Sequence, residues 1–203
     1  MRLGVLASGR GSNADAIFTA IDEGRLAAEA VLLICDRPAG AERVAQAHGV
    51  PARRIERADH PTRAAHNEAI RDALCKARVD LVALAGYAAI LDPIVVDAYE
   101  GHILNIHPSL LPAFAGTVAP EPQAAALRAG VKSAGCTVHI VTAEIDAGPI
   151  VAQAAVPVLP DDTVESLAAR ILVEEHRLYP DVLQWFADGR VRVGAGIATV
   201  RES

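Results

Sequence analysis

Apolar residues in the first half of the chain gather in short continuous runs rather than in strict alternation. Arg2–Ala7, Ala30–Cys35 and Leu81–Ala85 are each of strand length, are apolar nearly throughout, and stop at breaks bearing glycine or proline. Uninterrupted runs of this kind suit strands buried on both faces of a sheet. Between them the period changes. Ala14, Ile17, Phe18 and Ile21 recur at i, i+3, i+4 and i+7, the core stripe of a helix, and Asn13 stands where its N-cap belongs. A short helix follows Asp36–Gly40 and runs to His48, and Pro51–Ile55 reads as a third strand. His60-Pro61-Thr62 opens a longer helix that buries Ala65, Ala69, Ile70, Ala73, Leu74 and Ala77. Pro93 suits the first turn of a helix reaching Tyr99, and a further strand begins at Ile103 and stops at His107-Pro108.

Strand and helix alternate through this half, which predicts an α/β fold: a mostly parallel twisted sheet with helices on both faces. Ligands of such sheets sit beyond the carboxyl ends of the strands. The Gly9–Asn13 loop, Gly86-Tyr87 and His107 all follow strands and are expected to meet on one edge. In the second half, Ala113–Pro122 is a loop and Gln123–Ala129 a short helix. Cys136–Val141 and Ile150–Val156 are strands joined by Thr142–Pro149, a connection with two acids, a glycine and a proline that reads as a functional loop. Asp162-Thr163 caps a long helix to about Tyr179, Pro180 starts or kinks the next segment to Trp185, and Gly189–Val193 is a terminal strand. No repeat or linker divides the chain, so a single domain is expected.

Composition narrows the field. With 203 residues, 52% of them apolar, the chain can bury a large core, and no apolar run approaches a membrane span. Met1–Val5 enters the strand pattern without a signal-peptide layout, so a cytoplasmic protein is expected. A net charge of −6 disfavours a nucleic-acid surface but leaves room for an anionic small molecule. Aromatics, at 3%, are too few for a base-stacking platform. Cys35, Cys75 and Cys136 are far apart, odd in number and without CxxC spacing, against both a disulfide framework and a zinc site; all three read as buried thiols. Oligomeric state stays open, and a homodimer is compatible with the sequence.

Candidate chemistry centres on Asn105-Ile106-His107-Pro108-Ser109-Leu110-Leu111-Pro112. In a strand, i and i+2 face the same side, so Asn105 and His107 look into one space. Ser8-Gly9-Arg10-Gly11-Ser12-Asn13 lies between strand and helix, an arrangement that exposes backbone N–H groups to an anion. It is neither a Walker loop nor a GxGxxG fingerprint, and an ordinary tight turn before a capped helix accounts for it equally well. Taken singly, Asn105 can satisfy a strand end, His107 can be structural, and Asp146 can be a turn residue.

Together these residues resemble the folate-dependent formyltransferases. The Asn105–Pro112 stretch is similar to the family's signature, and Asp146-Ala147-Gly148-Pro149-Ile150 to its later acidic element. The Ser8–Asn13 loop and Glu175-His176-Arg177-Leu178-Tyr179-Pro180 resemble the branch that formylates glycinamide ribonucleotide. The resemblance spans nearly the whole chain. It implies a Rossmann-like formyltransferase domain over residues 1–203, with 1–100 as the half that holds the ribotide phosphate and 101–203 as the catalytic and folate-binding half. It further implies transfer of the formyl group of 10-formyltetrahydrofolate to the amine of 5′-phosphoribosylglycinamide in purine biosynthesis, with no metal and with no nucleic-acid or membrane partner.

On this resemblance Asn105, His107 and Asp146 are catalytic. The carbonyl oxygen of the formyl group gains negative charge as the amine attacks, and donors aimed at it stabilise that charge. Asn105 and a protonated His107 supply them, His107 or a water relays the proton, and Asp146 favours the charged imidazole. Gly11, Ser12 and Asn13 hold the phosphate. Glu175 accepts from the ribose hydroxyls, although a solvated helix face is an equally simple account of it. Ile90, Leu91, Ile103 and Val141 form the pterin slot, Arg63 lies near the folate tail, and His139 supports the centre. Leu111–Pro112 is a candidate cis bond.

The chain departs from the family in three places, one of them Leu172, which stands where a polar, ribose-contacting residue is often found. Ala88-Ala89 replaces a common Met-Arg, and Phe114-Ala115-Gly116-Thr117-Val118 replaces Phe-Pro-Gly-Leu-His, with a longer loop lacking histidine. Relatives acting on methionyl-tRNA add a basic C-terminal domain, and deformylases add an N-terminal one. A chain entering its first strand at Arg2 and stopping at Ser203 is expected to be neither. The alternatives are another formyl-folate hydrolase or transferase, or a binding protein without catalysis.

Overall fold

In the computed structural model, which describes residues 1–201, each apolar run of the first half is a strand and each helical stripe a helix. The chain runs β1 (Arg2–Ala7), α1 (Ser12–Asp22), β2 (Glu29–Cys35), α2 (Gly40–Ala47), β3 (Ala52–Arg54), α3 (Arg63–Lys76), β4 (Leu81–Leu84), α4 (Pro93–Val96) and β5 (Ile103–His107). It continues with α5 (Glu121–Ala129), β6 (Ser133–Ile140), β7 (Ile150–Pro157), α6 (Val164–Ala187), β8 (Val191–Gly194) and β9 (Ile197–Val200). Seven strands form one sheet in the order β3-β2-β1-β4-β5-β6-β7. The first five are parallel and the last two antiparallel. The expectation of a single α/β domain with a mostly parallel sheet holds. Glu202 and Ser203 lie outside the described residues.

Alternation along the strands sorts their side chains between two helical layers. Leu3, Val5 and Ala7 face a core shared with Ile17 and Phe18 of α1 and with Ile171, Leu178 and Val182 of α6. Leu6, Val82 and Ile103 face the other layer, with Ile70 and Leu74 of α3 and Val95 of α4. Gly4 lies on that second face because α3 packs close: a Cβ there would stand 2.9 Å from Leu74 Cδ2. Tyr179 of α6, fully buried, donates its hydroxyl to Leu104 O at 2.9 Å and approaches Leu84 O at 3.2 Å. It thereby ties α6 to the carboxyl end of β4 and to the neighbouring start of β5.

Four local expectations are corrected. Asn13 does not cap α1. Gly11 takes the N-cap position with φ of 89°, and Asn13 is already inside the first turn. Cys75 is exposed, not buried, since it follows Leu74 on the outward face of α3. Helix α6 does not end or restart at Pro180 but continues to Ala187, because Leu178, Tyr179, Val182 and Leu183 bury the segment on both sides of the proline. Finally, the terminal strand is one arm of a hairpin, β8 with β9, whose second arm the sequence pattern did not disclose. Among the described residues no helix is long and apolar enough to cross a membrane.

Candidate active site

Strand order reverses at the carboxyl ends of β1 and β4, and there the sheet opens into a cleft of about 1100 Å³. The three post-strand segments named from sequence meet in it: the Ser8–Asn13 loop, Gly86-Tyr87 and His107. At one end the wall is the start of α1. Gly11 is required there twice over: its φ is positive, and a Cβ would lie 2.6 Å from Ala41 Cα of α2. The N–H groups of the first helical turn have no carbonyl partner within the helix, so this end suits an anion. Asn13 and Glu175, from α1 and α6, are both buried beside it, with Asn13 Nδ2 donating to Glu175 Oε2 at 2.7 Å. Glu175 is therefore not on a solvated helix face. Burial raises its carboxyl above the ordinary value, and the Asn13 hydrogen bond only partly opposes that.

In the middle of the cleft, β5 presents Asn105 and His107. His139 of β6 is directly across the ladder from Asn105, and its Nε2 lies 3.1 Å from Asn105 Nδ2. The Thr142–Pro149 connection brings Asp146 over this pair. Its carboxylate reaches His107 Nδ1 at 3.4 Å with one oxygen and His139 Nε2 at 3.5 Å with the other. These are long for hydrogen bonds and short for charge attraction. The first oxygen also accepts the Gly116 N–H at 2.8 Å, tying the Ala113–Pro122 loop to the site. Asp146 adopts φ of 51°, a left-handed conformation that aspartate tolerates better than most residues. Gly148 follows because a Cβ there would strike Ile140 O.

Electrostatics separates the two central groups. His107 is 3% exposed, and burial lowers its pKa more than Asp146 raises it, so the imidazole rests neutral at pH 7. Burial opposes ionisation of Asp146 too, but the close approach of the His139 ring, the Gly116 hydrogen bond and the His107 imidazole hold its carboxyl below the ordinary value. His107 Nε2 is buried without a hydrogen-bond partner among the described residues, on a side chain that lines the cleft. The turn carrying His107 is braced from below. Thr137 Oγ1 donates to Ser109 O at 2.7 Å and accepts from Leu111 N at 3.0 Å. Leu111–Pro112 is cis, and so is Ala119–Pro120.

Of the residues named from sequence, Gly11, Ser12, Asn13 and Glu175 line one end, Asn105, His107 and Asp146 the middle, and Ile90, Leu91 and Val141 the other end. Two do not. Ile103 has no exposure and lies in the core below the cleft, since the start of β5 is covered by α3 and α4. Arg63, at the start of α3, is drawn outside by Asp92 and reaches the Ile90 carbonyl at 3.3 Å. Ser8 and Tyr87, in segments named from sequence, line the cleft as well, and sequence reasoning missed Arg37 and Gln123, which also line it. Ser8 accepts the Ala88 N–H at 2.8 Å, and Arg37 pairs with the buried Asp36 at 2.8 Å. The signal for Arg37 was available: it lies two residues past the end of β2, on the same sheet edge as the Ser8–Asn13 loop.

The chain is similar to known proteins in sequence and in fold. The formyl transferase family model matches residues 1–183. The chain is 44% identical over 184 residues to the phosphoribosylglycinamide formyltransferase of Bacillus subtilis, covering 90% of this chain and 93% of that protein. It is 42% identical over 196 residues to the trifunctional purine biosynthetic protein adenosine-3 of Gallus gallus. There it spans 96% of its own length but only 19% of the relative's. Among solved structures, the glycinamide ribonucleotide transformylase 1 of Symbiobacterium toebii superimposes with a TM-score of 0.96 at 46% identity, over 100% of this chain and 94% of that one.

Proposed function

The chain belongs to the formyl transferase family, and on that premise we propose that it transfers the formyl group of 10-formyltetrahydrofolate to the amine of 5′-phosphoribosylglycinamide, a step of purine biosynthesis. The observation that carries this reading is the joint presence, in one cleft, of an anion-ready helix start at one end, an apolar slot at the other, and Asn105, His107 and Asp146 between them. The cleft thus joins two halves. Residues 1–100 hold the ribotide phosphate on Gly11, Ser12 and Asn13. Residues 101–203 carry the catalytic groups and, with Ile90 and Leu91, the pterin site.

The reaction follows from those groups. The ribotide amine attacks the formyl carbon, a C–N bond forms, and the carbonyl oxygen becomes an oxyanion. The Asn105 amide donates to that oxygen in a site from which water is largely excluded. Neutral His107 accepts the proton released by the amine, and Asp146 stabilises the imidazolium so formed. The bond to the folate nitrogen then breaks, the proton passes to that nitrogen, and N-formyl ribotide and tetrahydrofolate leave. Asp146 thus serves the charged state of His107 during the reaction, although burial keeps the resting imidazole neutral.

Donor consumption tests this proposal against a hydrolase. With 10-formyltetrahydrofolate alone the protein is expected to consume little donor. On adding glycinamide ribonucleotide, tetrahydrofolate and formylated ribotide appear in equal amounts. Donor loss at the same rate with and without the ribotide would overturn the transfer reading, and inertness toward both would overturn catalysis.

A further inference from the structure

Asn13 donates to Glu175 across a separation of 162 residues, and the contact has features that a helix cap would not. Asn13 is 9% exposed and Glu175 6%. A carboxylate has about four acceptor sites, and Asn13 fills one of them. Among the described residues no cation pairs with it, and the influences on its carboxyl are burial and the Asn13 amide. The other half of that amide, Oδ1, is buried without a partner among the described residues. The pair is therefore under-satisfied, and both members line the cleft beside the start of α1. A vicinal diol fits this deficit, since it brings two O–H donors for the carboxylate.

We infer that Asn13 is a positioning residue for Glu175: its side-chain amide aims the carboxylate at the sugar hydroxyls and supplies one hydrogen bond to its ionised form, while the phosphate is held by backbone N–H groups of the first turn of α1. The inference rests on the ribotide reading of this end of the cleft. It changes the role of Asn13, which serves the phosphate through its main chain and the sugar through its side chain. The phosphate loop and the sugar-binding helix become one unit, joined by a single hydrogen bond.

A second consequence concerns protons. Hydroxyl donors favour ionised Glu175, so sugar recognition weakens as pH falls through the raised range of this carboxyl. The titratable group facing it from β6 is Cys136, whose thiol burial pushes up to about 12 and so keeps neutral. On α6 itself the neighbours are Glu174, His176 and Arg177, of which Glu174 and Arg177 pair with each other. From α1 only Asn13 acts on it.

Calorimetry with ribose 5-phosphate and inorganic phosphate, on the full chain across pH, tests the inference. The readout is the ratio of the two affinities, each first corrected for the titration of its own phosphate, which differs between the monoester and the free ion. In the wild type this ratio exceeds one and falls on acidification. Asn13→Ala is expected to keep phosphate affinity within about threefold, to lower the ratio about tenfold at neutral pH, and to move its pH midpoint up by roughly one unit. Adding Asn13→Ala to Glu175→Gln lowers the ratio no further, because the two act as one. Should Asn13→Ala fold poorly, Asn13→Ser, too short to reach Glu175, replaces it. A ratio and pH profile unmoved by the Asn13 variant would overturn the inference. So would an equal loss of phosphate and ribose 5-phosphate affinity in a folded variant, which would put the Asn13 amide on the phosphate. If the wild type binds ribose 5-phosphate no better than phosphate, the ribotide reading fails and this inference with it.

Discussion

His107 and Asp146 show how one carboxylate can matter to a histidine it does not fully charge. Desolvation of His107 outweighs the attraction of a carboxylate 3.4 Å away, so the free imidazole is a base. Once it takes a proton, the same carboxylate holds it. The acidic limb of kcat/KM reports the free protein's essential base. It is expected below the ordinary histidine value, because burial lowers His107. In Asp146→Asn the limb moves further down, since the larger of the two influences that raise His107 is removed, and the plateau rate falls by about two orders of magnitude. A limb that rises or stays in place in that variant, measured by initial rates from pH 5 to 8, would separate the two residues.

Elements deliver these side chains through packing that is distant from the chemistry. Tyr179 is the clearest case, its hydroxyl spanning the carbonyls of Leu84, at the end of β4, and Leu104, near the start of β5. Tyr179→Phe leaves those buried carbonyls short of a donor and should destabilise the fold by roughly 1–3 kcal/mol. In urea the midpoint should drop with an unchanged slope; an unshifted midpoint would show the hydroxyl to be dispensable. Much at this scale was legible beforehand. The runs at Leu3–Ala7 and Leu81–Ala85 could be placed as buried strands because burial on both faces leaves only apolar residues. The α1 stripe was equally plain. The second arm of the terminal hairpin, β9, was not, because its residues are mostly exposed and show no apolar face. Pro180 misled for a related reason: local chemistry says stop, and tertiary burial of Leu178, Tyr179, Val182 and Leu183 overrides it.

At the scale of the molecule, the parallel strands bring segments from residue 8 to residue 175 into one cleft. Position within that cleft was partly legible. Residues directly after strands fell where the sheet topology places them. Side chains whose surroundings come from another element did not: Ile103 is capped by α3 and α4, Arg63 is turned away by Asp92, and Asn13 finds its partner on α6. The same topology explains how a chain with net charge −6 can take an anionic ligand, since the attraction is local to a helix start. Everything in this account converges on His107 as the group that moves the proton between ribotide amine and folate nitrogen. The most direct test is the rate of formyl transfer from 10-formyltetrahydrofolate to glycinamide ribonucleotide by the wild type and by His107→Ala at neutral pH. The account predicts a loss of about 10²- to 10⁴-fold in kcat with ribotide affinity retained. Transfer by His107→Ala at the wild-type rate would contradict it.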